Sequence, residues 1–247
     1  MIRTLAVTTL VALVGCGHRP PPPPDPVPDA ALLVLGRTLP AEGAIPADEA
    51  FPLDAEGTRW LSASGTDPKA IEAKPVLVTV RGSDAHGGEF EREVPGEAVE
   101  FLSRGPDGID LHAVLSPSDA ALSIFATPLR LLPPSLEAGG EHRASAAMDV
   151  VDAGDPSRRK DRGTGERVAR YTHDVEITLA GRTLRARVLE STFTARLRSA
   201  TATRTVELLV VPGLGPVAER WRREVLVLGL VRTVREGVRV RELHASE

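Results

Sequence analysis

Proline sets the first limit on this chain. In the first half Pro40, Pro46, Pro52, Pro68, Pro75, Pro95, Pro106, Pro117, Pro128 and the pair Pro133-Pro134 recur every dozen residues or so. Proline lacks the backbone N–H and fixes φ, so no long helix fits between them. What does fit is a series of short apolar or alternating runs, at 31–35, 75–80, 89–94, 98–102, 109–115 and 121–126. Rich in β-branched residues and bounded by turn formers, they predict an antiparallel β region.

The second half alternates more openly. Tyr171, His173, Val175, Ile177 and Leu179 interleave with Arg170, Thr172, Asp174, Glu176 and Thr178, which predicts a strand with one buried face. A tight turn at 180–182 leads into a return strand with Leu184, Ala186 and Val188 inward. Val206, Leu208 and Val210 repeat the pattern, Pro212-Gly213-Leu214-Gly215-Pro216 closes it, and 238–241 reads as a last strand. Residues 217–234 are ambiguous. Val217, Trp221, Val225 and Leu228 would share a helical face, but 225–231 is strand-like, and one long strand is the favoured reading. The polar segment 152–166, with Asp155-Pro156-Ser157-Arg158-Arg159-Lys160, reads as a mobile hairpin loop. The expected fold is mainly β: curved antiparallel sheets, half-barrel or sandwich-like, with few short helices. It divides into an N-terminal β-rich region, 31–127, and a C-terminal antiparallel region, 128–247.

The amino terminus carries a separate message. Arg3 precedes an apolar run at 5–14, broken only by Thr8 and Thr9, and Leu13-Val14-Gly15-Cys16 follows. About ten apolar residues suit a signal-peptide core, whereas a spanning helix needs about 20. Leu13-Val14-Gly15-Cys16 resembles the lipobox of bacterial lipoproteins. The resemblance implies that 1–15 is a signal peptide removed by signal peptidase II. It also implies that Cys16 takes diacylglycerol and a further acyl chain such as palmitate, so that the chain is held on a membrane. Cys16 is the sole cysteine, so a disulfide within the chain is excluded. Gly17 stands where aspartate would signal inner-membrane retention, which favours an outer-membrane address facing the periplasm. Pro20 to Pro24, then Asp25-Pro26-Val27-Pro28, make 16–30 an extended polyproline tether reaching on the order of 25–30 Å.

Pro128-Leu129-Arg130-Leu131-Leu132-Pro133 with Leu136-Glu137-Ala138-Gly139-Gly140, and later Val211-Pro212-Gly213-Leu214-Gly215-Pro216-Val217, are similar to segments of TapB-like exported β-proteins of unknown function. The likeness spans roughly 128–232. It departs from the pattern at Pro216, where an apolar residue is usual, and lacks the aromatic before the first glycine. It implies a highly curved antiparallel sheet, akin to the half-barrels that bind lipid in lipoprotein carriers, and it implies no catalytic residues.

Chemistry is sparse. An apolar content of 42% marks a globular chain, and a net charge of −4 argues against a nucleic-acid partner. Aromatic residues at 3% are too few for a base- or sugar-stacking surface. Gly213-x-Gly215-x-x-Ala218 imitates a dinucleotide fingerprint, but Pro212 and Pro216 flank it and no βαβ alternation surrounds it. His18, His86, His112, His142, His173 and His244 have neither helical nor strand metal-pair spacing. Asp84-Ala85-His86-Gly87-Gly88-Glu89 reads as a β-turn rather than a metal loop. No catalytic residue, metal site or cofactor is expected, and Cys16 is the one residue assigned a chemistry, lipidation. The expected role is a non-enzymatic structural or interaction module of the envelope. The alternative is a carrier or binder of a lipid or other apolar ligand on a curved sheet. The expected partners are the membrane, through Cys16, and an envelope protein or apolar ligand.

Overall fold

A computed structural model describes residues 33–54, 57–64 and 74–242. The expected signal peptide at 1–15, Cys16 and the expected tether at 16–30 lie outside the described residues. The strands are β1 (Val34–Leu39), β2 (Ala44–Pro46), β3 (Thr58–Ser64), β4 (Lys74–Gly82), β5 (Phe90–Val94), β6 (Ala98–Gly105), β7 (Gly108–Ser116) and β8 (Ala121–Leu132). They continue as β9 (Ser135–Glu137), β10 (Glu141–Asp152), β11 (Arg159–Leu179), β12 (Arg182–Leu197), β13 (Ala200–Val211), β14 (Gly215–Val227) and β15 (Val231–Arg241). One short helix, α1 (Ala47–Ala50), follows β2.

The fold is mainly β, as the alternation predicts, and the curvature goes to completion. From β3 onward each strand pairs antiparallel with the next, with β9 set aside, until β15 pairs back onto β3. The result is a closed up-and-down barrel of twelve strands rather than a half-barrel. Closure leaves no strand edge around the ring. Regions 31–127 and 128–247 meet inside β8, and both contribute to this one sheet.

Inward positions are apolar or small over most of the wall. Leu189, Ser191, Phe193, Ala195 and Leu197 of β12 face the lumen beside Ala200, Ala202, Val206 and Leu208 of β13. The outer wall is charged. Glu141 bridges Arg143 and Arg170, Arg196 meets Glu166, Arg220 meets Glu207, and Arg232 forks onto Glu224. Each such exposed pair contributes about 0–1 kcal/mol.

The two ends differ. One is filled by the segment before β3. Ile45, Ala47, Ala50 and Leu53 are buried against Leu102, Ile109, Leu129, Leu132 and Val210, closing the barrel like a stopper. Backbone bonds fix it: the Ala47 N–H donates to Pro134 O at 3.0 Å, and the Ala138 N–H to Gly43 O at 2.9 Å. A buried polar knot adds to this. Asp174, 1% exposed, accepts from the Tyr171 hydroxyl at 2.5 Å and from Arg185 Nε at 2.5 Å. The same hydroxyl lies 2.8 Å from Glu42 O and accepts the Glu42 N–H at 3.1 Å, while Arg185 Nη2 donates to Pro40 O at 2.9 Å. Burial, then the Asp174 carboxylate, push the Tyr171 phenol up to about 12. The opposite end, where β12 turns into β13 and β14 into β15, carries no such plug among the described residues.

Three expectations change in detail. The Tyr171-to-Leu179 face is not continuous: a bulge at Thr172 reverses it. Tyr171 points to the barrel core, while Val175, Ile177 and Leu179 join Ala186, Val188, Leu209, Val211, Val217 and Val240 in a second apolar cluster. Asp174, placed on the polar face by alternation, is buried for the same reason. The expected loop 152–166 is mostly strand, since the turn spans only 153–158 and β11 runs 21 residues. The single strand favoured for 217–234 is a hairpin, β14 and β15, turning at 228–230.

Candidate functional site

Twelve strands make a wider ring than side chains alone can fill. Small residues on the wall, Ala121, Ser123, Ala195, Ala200 and Ala202 among them, leave a cavity of about 460 Å³. That size lies within the range of small-molecule sites.

The lining has two sides. Phe125 and Met148 (a register pair on β8 and β10), with Val150, Phe193, Ala195 and Leu197, make an apolar wall. The Phe125 and Phe193 rings meet edge to face, centroids 6.2 Å apart. They can do so because Gly165 stands beneath them: a Cβ there would lie 2.8 Å from Phe125 and 3.0 Å from Phe193.

The other side is charged and unusually deep. Arg92 Nη1 donates to Glu100 Oε2 at 2.7 Å. Arg204 Nη2 bonds Glu219 Oε1 at 3.1 Å, and Arg239, 1% exposed, pairs with Glu219 at 3.3 Å and with Glu97. Toward the end away from the stopper Arg223 pairs with Asp119 at 3.0 Å. Arg167 stands apart. Its Nε donates to Leu131 O at 3.2 Å and its guanidinium lies 5.9 Å from the centre of the Phe51 ring, in the stopper.

Electrostatics follow burial and pairing. Burial alone would raise the Glu100 carboxyl; the Arg92 guanidinium, with Arg204 behind it, outweighs that and holds it below the usual range. Burial likewise opposes the charge on Arg92, and Glu100 overcomes it. Arg167 is only partly rescued: burial brings it down to about 10, Glu100 opposes that from a distance, and the positive Arg204 adds to the fall, leaving it still charged at neutral pH. A carboxyl depressed in the folded state gives stability that is complete above its unfolded pKa, about 4.3, and is lost as pH falls through the folded value. Thermal melts are therefore expected to be flat from pH 7 to about 5 and to fall below about 4.5. A Glu100→Gln chain should show a shallower acid slope than the parent; an identical slope would exclude Glu100 as a source.

The residues picked out in the sequence do not gather here. Cys16, His18 and His244 lie outside the described residues. His86 sits in the 3-10 turn Ala85–Gly87 and stacks edge-on against Phe101, its ring 4.6 Å away. His112 is hydrogen-bonded to Ser103 at 2.8 Å, and His173 to Thr172 at 3.0 Å. His142 is half-buried, and burial with Arg130 nearby pushes its imidazole below its ordinary pKa. The 213–215 glycines form the β13–β14 turn with positive φ at both. Among the described residues no group of three metal-ligating side chains converges.

The cavity charges were legible only in part. Extending the inward series Val210, Leu208, Val206 by one step reaches Arg204, but nothing in the sequence says that β14 meets it with Glu219. No family model, no curated protein and no solved structure matches this chain.

Proposed function

We propose that this protein is a membrane-anchored envelope lipoprotein whose barrel binds a lipid or other apolar ligand. The observation that carries the reading is the roomy cavity with one apolar wall, stoppered at one end and carrying no such plug at the other among the described residues. A core needed only for stability would be filled, because unfilled volume forfeits packing energy of about 24 cal/mol per Å³. A general structural or interaction role, expected from the sequence, would use β1, which ends the sheet outside the ring with Val34 and Leu35 exposed. The lipobox supplies the anchor, and nothing in the site calls for catalysis.

Two measurements test this. Protein purified from its membrane under mild conditions should carry bound lipid, seen by mass spectrometry of a solvent extract. Ala202→Trp, which fills the cavity, should lose most of that lipid while keeping its melting temperature within a few degrees. Equal lipid in parent and variant would place the lipid elsewhere and sink the cavity reading. For the anchor, Cys16→Ser should abolish incorporation of radiolabelled palmitate, and unchanged labelling would refute lipidation at Cys16.

A further inference from the structure

The polar side of the cavity has a definite chemical sense. Four carboxylates line it, Glu97, Glu100, Asp119 and Glu219, and each is already taken by an arginine: Arg239, Arg92, Arg223 and Arg204 in turn. Two lining arginines have no carboxylate of their own, Arg235 at the exposed rim and Arg167 deep in the barrel. Only the Nε of Arg167 is bonded, to Leu131 O, so both its terminal nitrogens lack a partner among the described residues. Although deep in the barrel, Arg167 keeps accessible surface, and that surface is toward the cavity. The unmet capacity elsewhere on the lining has the same sign. The indole N–H groups of Trp60 and Trp221, both cavity-lining residues, are buried with no acceptor. Buried polar groups are nearly always bonded, and here every unfilled one is a donor. Arg167 and Arg204 stand on either side of Phe193 in register, so the cationic site abuts the apolar wall.

We infer that the cavity takes a single-chain anionic amphiphile, a long-chain carboxylate, with its head on Arg167 and its chain along Phe125, Met148 and Phe193. The inference rests on the ligand-binding reading above and adds the charge of the head. A planar guanidinium fork matches a carboxylate in two parallel bonds, and a buried unpaired cation gains most from an anion.

The test is displacement of a fluorescent fatty acid from the delipidated full-length chain by hexadecanoate, hexadecanol and hexadecyltrimethylammonium, three ligands sharing one chain. Hexadecanoate should displace at a concentration at least roughly tenfold below hexadecanol, the cation should be weakest, and Arg167→Met should erase the first difference while leaving hexadecanol unchanged. Equal potency of the three in the parent would overturn the anionic head and leave the cavity reading standing. No binding of any would sink both. If Arg167→Met does not fold, the parent's ranking of the three still decides.

A different observation carries a second proposal. Most of the strongly exposed large apolar side chains among the described residues gather at one hairpin tip, β14 to β15: Leu228 is 70% exposed, Leu230 85% and Val231 61%. Leu228 has φ +50°, a left-handed conformation costing a branched side chain about 1 kcal/mol, so the turn itself does not favour leucine. The hairpin stems carry Arg222, Arg223, Arg232 and Arg235 against Glu224 and Glu236, a basic excess of two, and Arg223, Val225 and Arg235 also line the end of the cavity away from the stopper. Apolar tip, basic stems and cavity mouth together fit one partner. We propose that this hairpin seats on an anionic bilayer, bringing the mouth to a lipid surface. Apolar burial and about 1 kcal/mol per basic residue would drive it. The full chain carrying Cys16→Ser, free of its own acyl groups, should float with vesicles of phosphatidylcholine plus phosphatidylglycerol more than with phosphatidylcholine alone. Leu228→Asp with Leu230→Asp should cut flotation roughly tenfold with an unchanged melt. Flotation unaffected by the pair, or no flotation of the parent, would overturn it. Should the pair disturb folding, Arg232→Glu with Arg235→Glu must lower binding to the mixed vesicles for the proposal to survive.

Discussion

Arg239→Met is expected to destabilise the barrel by about 3–5 kcal/mol, lowering its melting temperature by on the order of 10 °C. Arg239 is almost wholly buried, reaching from β15 to the half-buried Glu97 and to the buried Glu219. Methionine fills much of the same space, so the loss is electrostatic. It leaves Glu97 to the water it can reach and the buried Glu219 with Arg204 alone, and a buried charge that loses a partner carries more of its desolvation cost. Trp221, whose ring centre is 6.0 Å from the Arg239 guanidinium, reports locally through its fluorescence. Urea melts followed by tryptophan emission should show the shift, and adding Glu97→Gln should return part of it. A loss under 1 kcal/mol would mean that water reaches Glu219 as well and that the knot is not dry.

Gly163→Ala should cost about 3 kcal/mol, although one methyl group is all that changes. Gly163 faces Leu197 across β11 and β12. A Cβ there would lie 1.9 Å from the Arg196 carbonyl oxygen and 2.8 Å from its carbon. Those are backbone atoms, so two paired strands must separate to admit it. Gly165→Ala is gentler, about 1–2 kcal/mol, because the atoms it meets are ring edges that can tilt. Gly82→Ala, with nothing within 4 Å, serves as a neutral control. The series is checked by parallel chemical denaturation. Equal effects at Gly163 and Gly82 would show that β11 and β12 are not so closely apposed.

The same two glycines explain where the sequence misled. Gly163-Thr164-Gly165 beside a charged run has the composition of a loop, and it is a bend inside the longest strand, with glycine chosen for close approach rather than for a turn. Alternation located most strands well, because a half-buried strand imposes period two whatever its neighbours are. It failed at Thr172, where one extra residue swapped the faces and turned Asp174 inward, since a bulge leaves no mark in local composition. Closure of the ring was equally hidden: each strand signals only its own two faces, and whether a curved sheet stops or meets itself depends on accumulated twist. The cavity charges escaped notice for a related reason. An arginine at an inward position looks like a solvated residue until the partner strand supplies its carboxylate.

The seam where β15 joins β3 pairs Trp60 with Arg241, the first ring strand with the last. No stretch that stops short of β15 can complete the ring, so until then the sheet has two raw edges and an unroofed apolar lumen. Closure must wait for β15, and contacts this distant in sequence form slowly. A chain cut short within β15 would therefore not yield a slightly weakened barrel. It would yield an open sheet with β3 and β14 as sticky margins, prone to pair with other copies. β15 thus acts as the closing strand of the ring, and a cut within it is the one that opens the barrel at its seam.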